Sequence, residues 1–261
     1  MKKSLFFLFL CLFSFSNEHS QNESPRPIKK SEPKNEVDLS HHFPKEPPVQ
    51  QGGSCAVYSQ VGLFEAACHR HLGHKIKLSE AYLFYRSVRG SILIGEKYEK
   101  TPRFFSQYDI CKDYHMTSER IKKGYVCDSK DLTFDSDFIE AIKSEDLSKI
   151  EGCVGQKLKE KAKVTKEGVF VSSFSDEIKK CIDKVPAHKT EKYSKEKALE
   201  LLNKGIPFAC TGNAVYAHGA GQHMFLITGY SVEQGEIKWK VRDSIEKTML
   251  KFDCDLITYY P

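Results

Sequence analysis

Apolar residues recur along the chain in two rhythms. Val57, Val61, Phe64, Cys68 and Leu72 follow one another at four- and three-residue steps, the period of one helix face, and Gly73 stands where such a helix would end. Ala56, Leu63, Ala66 and Ala67 make further sides apolar, so the predicted helix, beginning at or just before Cys55, is central rather than superficial. A second helix is predicted over LSEAYLFYRSVRG, with Ser79 as its N-cap. From Thr101 to Lys197 the sequence is polar, lysine-rich and weakly periodic, which predicts short helices and long loops tied by disulfides. The rhythm changes after Lys195. EKALELLNKG reads as a short amphipathic helix, and IPFACTG, HMFLITGYSV, EIKWKVRDS and KTMLKFDCDLITYY read as strands, the last as one or two. A helical part over about 52–195 followed by a β-rich part over about 196–261 predicts an α+β protein of two lobes with a crevice between them.

The N-terminus has neither rhythm. MKKSLFFLFLCLFSFS combines two lysines, an apolar run from Leu5 to Phe13 and small residues at Ser14 and Ser16, the composition of a secretory leader (1–16) cut after Ser16. The run falls short of the roughly 20 apolar residues that a spanning helix needs, so no membrane span is expected after cleavage. A lipoprotein reading of Cys11 is disfavoured by the bulky Leu10 before it. Residues 17–47, rich in Pro, Ser, Lys and Glu, read as a mobile linker; folding is expected to start near Val37 to Pro48, with the domain assigned to 48–261. Lys and Arg total 40 against 35 Asp and Glu in 261 residues, interspersed rather than gathered into a basic face with aromatics, which argues against nucleic-acid binding.

Export would govern the cysteines, because disulfides persist outside an ordinary cytosol. Of nine cysteines, all but Cys11 would survive cleavage, and none lies in a Cys-x-x-Cys pair, which disfavours zinc-ribbon and thioredoxin readings. Proximity suggests Cys111 with Cys127 and Cys153 with Cys181. Strand positions suggest Cys210 with Cys254, leaving Cys68 buried in its helix.

Three positions carry candidate chemistry. Cys55 follows Gly52-Gly53-Ser54 and opens the predicted helix, where unpaired backbone N–H groups and the positive end of the dipole favour thiolate. With a cationic neighbour, such a setting lowers a cysteine pKa from about 8.5 into the range of about 3.5 to 7.5. His223 opens the strand HMFLITGY. Asp243 closes EIKWKVRDS and shares a face with Ile237, Trp239 and Val241, so a carboxylate points where apolar residues point and calls for a partner. A three-residue hairpin loop at Glu233-Gln234-Gly235 would put Phe225 opposite Asp243, with His223 two places along on the same face. A two-residue loop at Gln234-Gly235 would separate His223 and Asp243 onto opposite faces unless a bulge intervenes. Gln51, or its neighbour Gln50, is placed to offer a side-chain N–H beside the Cys55 backbone N–H; losing one such oxyanion donor costs about 2.7 to 4 kcal/mol. Other histidines read as bland: His69, His71 and His74 share no single helical face, and His218 in AHGAGQH lacks the strand that follows His223. No metal or cofactor is implied.

Taken in order, these segments resemble the papain-like cysteine peptidases. PVQQGGSCAVYS is similar to the family's P-V-x-x-Q-G-x-C-G-S-C-W-A-F-S, and Leu78-Ser79-Glu80 to its L-S-E. His223, six residues before Gly229-Tyr230, resembles its H-A-V-x-x-V-G-Y, and Lys238-Trp239-Lys240-Val241-Arg242-Asp243-Ser244 its Y-W-x-V-K-N-S-W-G. The resemblance implies a papain-like two-lobed fold, with Cys55 as nucleophile, His223 as acid/base partner, Asp243 where the family has an orienting asparagine, and Gln51 as oxyanion donor. It implies an exported peptidase, periplasmic or secreted, that acts on peptide or protein substrates through an acyl-enzyme. The sequence also departs from the pattern. Two residues are missing between Gln51 and Cys55, Ala56 and Ile245 replace tryptophans, and about 89–195 has no counterpart. About thirty residues between leader and domain leave no room for a long inhibitory propeptide. Asp243 equally permits a transglutaminase-like Cys-His-Asp acyltransferase, and the altered loop permits a papain-like scaffold that only binds.

Overall fold

The computed structural model describes residues 35–43, 49–50, 54–95, 114–144, 146–166, 168–217, 219–245 and 249–261. The leader over 1–16 with Cys11, the linker over 17–34, Gln51, Cys111 and His218 lie outside the described residues. Helix α1 (Cys55–Leu72) spans the predicted period and ends on Gly73 at φ 70°, whose N–H bonds the His69 carbonyl. From Cys55 to Cys68 only Gly62 is less than buried, so α1 is the central element of the first core.

Around it stand α2 (Glu80–Gly95), α3 (Tyr114–Lys122), α4 (Ser136–Lys143), α5 (Leu147–Lys157) and α6 (Asp176–Lys184). Their entries follow local side-chain chemistry. Ser79 Oγ accepts from the Tyr82 N–H at 3.0 Å, Asp135 from Phe138 at 2.9 Å and Asp146 from Ser148 at 2.9 Å, each satisfying a first-turn donor. A short antiparallel hairpin, β2 (Ala162–Thr165) and β3 (Gly168–Val171), also lies here. Strands of four residues are too short to display alternation, and the weak period hid them. The β3 edge is closed by tyrosines of α2: Tyr82 OH lies 3.1 Å from the Val169 carbonyl, and the Val169 N–H donates to Tyr85 OH at 3.1 Å.

The second lobe is an antiparallel sheet with one helix. It comprises β4 (Lys189–Lys192), α7 (Lys195–Asn203), β5 (Phe208–Tyr216), β6 (Gly219–Glu233), β7 (Glu236–Arg242) and β8 (Lys251–Tyr259). The strands run β6-β5-β8-β4, with β7 paired to β6. Strand β1 (Glu36–Asp38) adds to β6 opposite Gly229–Ser231. Val37, Leu39 and Phe43 are buried, so this part of the stretch read as linker belongs to the fold. Likewise β4 brings the sheet's start ahead of 196, and the C-terminal apolar stretch forms a single strand. One side of the sheet gives Ala209, Met224 and Leu226 to the core around α1; the other packs Phe208, Phe225, Ile227 and Ile257 against Ala198, Leu201 and Leu202 of α7. Among the described residues, no helix is long and apolar enough to cross a membrane.

Two disulfides tie these elements. Cys210–Cys254 joins β5 to β8, as the strand positions suggest. Cys68–Cys181 joins α1 to α6, which corrects the expectation of an unpaired Cys68 and of a Cys153–Cys181 bond. Cys127 and Cys153 are thiols, so the expected Cys111–Cys127 bond is absent as well. Sequence proximity misleads here because helix packing brings together cysteines 113 residues apart.

The β6–β7 hairpin decides where the candidate residues go. Its turn has two residues, Gln234 at φ 52° and Gly235 at φ 81°, with Glu233 opposite Glu236. That register alone would part His223 from Asp243. A bulge between Ile227 and Gly229 takes up Thr228, and beyond it Leu226 faces Arg242, so Phe225 comes to Asp243 and His223 returns to the same face. Gly229 allows the close approach of β1, because a Cβ there would lie 2.1 Å from the Val37 carbonyl oxygen. Gly229→Ala is expected to lower stability by about 2 kcal/mol through forced displacement of β1. Urea unfolding checks this, and an unchanged midpoint would contradict it.

Candidate active site

Helix α1 meets β6 beside His223. Ser59 Oγ donates to the Met224 carbonyl at 2.9 Å, and the Gln60 side-chain amide lies 3.9 Å from Met224 Sδ. These buried contacts fix the first turns of α1, and therefore Cys55, against the strand that carries the histidine. Cys55 is the first residue of α1, is 3% exposed and enters no disulfide.

His223 Nε2 lies 2.7 Å from Asp243 Oδ1, and both side chains are shielded from solvent. The second carboxylate oxygen accepts from Tyr216 OH at 2.6 Å, and Oδ1 also accepts from the Ile245 N–H at 3.1 Å. The imidazole stacks on Phe225 at 5.9 Å between centroids and meets the Tyr216 ring edge-on at 6.0 Å. Burial alone would depress the imidazolium, yet hydrogen bonds to Asp243 and Cys55 outweigh it and raise the His223 pKa to about 9. Burial likewise opposes ionisation of Asp243, but His223, Tyr216 and the Ile245 N–H hold it below the usual carboxylate range. The arrangement is a buried, charge-assisted chain with a thiol at one end.

Gln50 stands at the entrance of this chain. Its N–H donates to the Ser244 carbonyl at 2.8 Å, and its Oε1 accepts from Ser244 Oγ at 2.7 Å, which leaves Nε2 as the donor end of the amide. The segment ahead of Cys55 is thereby fastened to the residue after Asp243. An open crevice of about 830 Å³ adjoins Asp243, with Trp239, Val241, Met249 and Phe252 among its walls.

No protein-family model matches the chain, and no curated protein does. Solved structures do. Digestive procathepsin L 3 of the Tenebrio molitor larval midgut superposes with a TM-score of 0.52 at 13% identity, covering 89% of this chain and 71% of that one. A structure from work on the mite allergens Blo t 1 and Der p 1 gives 0.52 at 11% identity, covering 91% and 74%. The proform of the Amb a 11 cysteine protease, a ragweed pollen allergen, gives 0.50 at 13% identity, covering 89% and 67%. The fold is papain-like. At such identities the likeness speaks for the fold alone.

Within the papain-like fold, Cys55, His223 and Asp243, chosen from the sequence, are brought together from α1, β6 and the end of β7. Three other described histidines have partners of their own. His42 Nδ1 lies 3.0 Å from His69 Nδ1, and His71 Nε2 lies 2.7 Å from the Pro261 oxygen. Tyr216 escaped sequence reasoning. Its place in the alternation Gly212, Ala214, Tyr216 marks it as inward-facing, but nothing local says that its hydroxyl meets a carboxylate 27 residues away. Ser244→Ala removes the side-chain half of the Gln50 tether and is expected to cost about 1 kcal/mol of stability. Faster amide exchange at Gln50 would accompany the loss; unaltered exchange would contradict the tether.

Proposed function

We propose that the protein is a hydrolase of cysteine-peptidase type, cleaving peptide bonds through a Cys55 thiolate and a His223 imidazolium. The observation that carries this reading is the contact chain from Cys55 through His223 to Asp243 in a papain-like fold. With Nε2–H of His223 donated to Asp243, Nδ1 is the nitrogen left for the thiol. The thiolate attacks the scissile carbonyl carbon and its electron pair moves onto oxygen, forming a tetrahedral intermediate. The Cys55 backbone N–H and a glutamine amide take the oxyanion. Gln51 is one source of that amide. Gln50 is the other, supported by the two hydrogen bonds that fasten it to Ser244, the residue after Asp243.

As the intermediate collapses, the proton on His223 Nδ1 goes to the leaving amine and the acyl group remains on sulfur. Neutral imidazole then takes a proton from water, whose oxygen attacks the thioester and releases the acid, and the proton on Nδ1 restores the ion pair. Asp243 holds the ring in one tautomer and favours its charged form. Two disulfides support an exported setting, periplasmic or secreted. A Cys-His-Asp acyltransferase is the second reading, favoured by the carboxylate at Asp243, and it predicts transfer of the acyl group to amines in preference to water.

An epoxide that alkylates thiolates is expected to label the wild type at neutral pH under mild reduction and to leave Cys55→Ala unlabelled. Cleavage of an unfolded protein substrate should be lost in the same variant. It should also decline in the wild type as pH rises through about 9, where His223 loses the proton the leaving amine needs. Absence of Cys55-dependent labelling would overturn the reading.

A further inference from the structure

Resting on that reading, we propose that Tyr216 is a positioning residue for the reaction, acting on His223 through Asp243. An amide in this place would carry one donor and one acceptor end, so its hydrogen bonds would tell its two sides apart. The two oxygens of a carboxylate are equivalent acceptors, and its plane is fixed only by donors on both. Asp243 has them: Oδ1 is shared by His223 Nε2 and the Ile245 N–H, and Oδ2 is held by Tyr216 OH at 2.6 Å. The backbone donor and the phenol lie on opposite oxygens, and together they keep Oδ1 aimed at the imidazole.

Tyr216 is itself well fixed. It ends β5, paired with Gly219 across the β5–β6 turn, is 8% exposed, and meets the His223 ring edge-on. Burial and the adjacent carboxylate push its phenol well above the ordinary tyrosine range, so it remains a donor wherever the protein is folded. Among the described residues, the titratable groups that face Asp243 are Tyr216 from β5, His223 from β6 and, through His223, Cys55 from α1; Tyr193, Lys238, Lys251 and Asp253 line the same crevice, and Tyr58, Glu65, Lys77, Glu80 and Arg242 line a second pocket that Asp243 borders. Among these only the tyrosine holds the oxygen that the histidine does not use.

The test is the pH dependence of Cys55 alkylation by iodoacetamide in the full chain, which reports thiol ionisation at the acid end and loss of the imidazolium at the alkaline end. In Tyr216→Phe the carboxylate is free to turn, and the alkaline step is expected to move down by about one pH unit, a roughly tenfold loss of proton affinity. In an Asp243→Ala background the same substitution should move nothing further. 4-Aminophenylalanine at position 216, which keeps a donor in place, should restore the wild-type step. Should Tyr216→Phe not fold, 4-methylphenylalanine, which fills the phenol's volume without a donor, takes its place with the same expected shift. A profile that superimposes on the wild type, a step that moves upward, or an equal shift with and without Asp243 would overturn the role of Tyr216. A wild type whose Cys55 alkylates only as an ordinary thiol, with pKa about 8.5, would instead overturn the parent reading.

Discussion

A carboxylate buried beside aromatic rings survives only with donors on its oxygens, and the hydrogen bond between Asp243 and His223 is the contact around which this lobe is arranged. It requires the two residues to share a face of adjacent strands. The two-residue Gln234-Gly235 turn sets a register that denies this, and the bulge at Thr228 restores it. The bulge in turn lies next to Gly229, where the backbone must admit β1 without a side chain between them. A local irregularity in one strand thus governs the pairing of charges at its far end.

The thiol comes to that pair from a different core. Helix α1 is buried on nearly every side, so its orientation is set by packing against the surrounding helices and against Met224 and Leu226 of the sheet. Cys68–Cys181 ties it to α6 near its other end, and the Gln50–Ser244 pair of hydrogen bonds ties the segment ahead of it to the sheet. The first residue of a rigid helix is a suitable place for a group that must keep its distance to a ring on another lobe. The helix dipole there adds a preference for negative charge on sulfur.

Much of this was legible in the sequence because each signal was strong and local. The apolar period from Val57 to Leu72 with Gly73 behind it marks α1, and the alternation ending in Asp243 marks a carboxylate that needs a partner. The order of Cys55, His223 and Asp243 along the chain, with the segments around them, pointed to the fold that the solved structures share. What stayed hidden was non-local. The bulge depends on how β6 meets two neighbours, β2 and β3 are too short to show a period, and Cys68 finds Cys181 only once the helices pack. The start of folding near Val37 was expected, but the strand there was not, because its three residues lie beside a Pro- and Lys-rich stretch and are too few to show a period. Tyr216 and Gln50 acquire partners only through tertiary contacts.

In the proposed mechanism Asp243 keeps His223 charged beside the Cys55 sulfur. Nitrogen-15 NMR of the His223 ring, followed against pH in the unmodified protein, tests it most directly. Both ring nitrogens should be protonated at pH 7.5, with a transition near 9. A ring already neutral at pH 7.5, with one bare nitrogen, would contradict it.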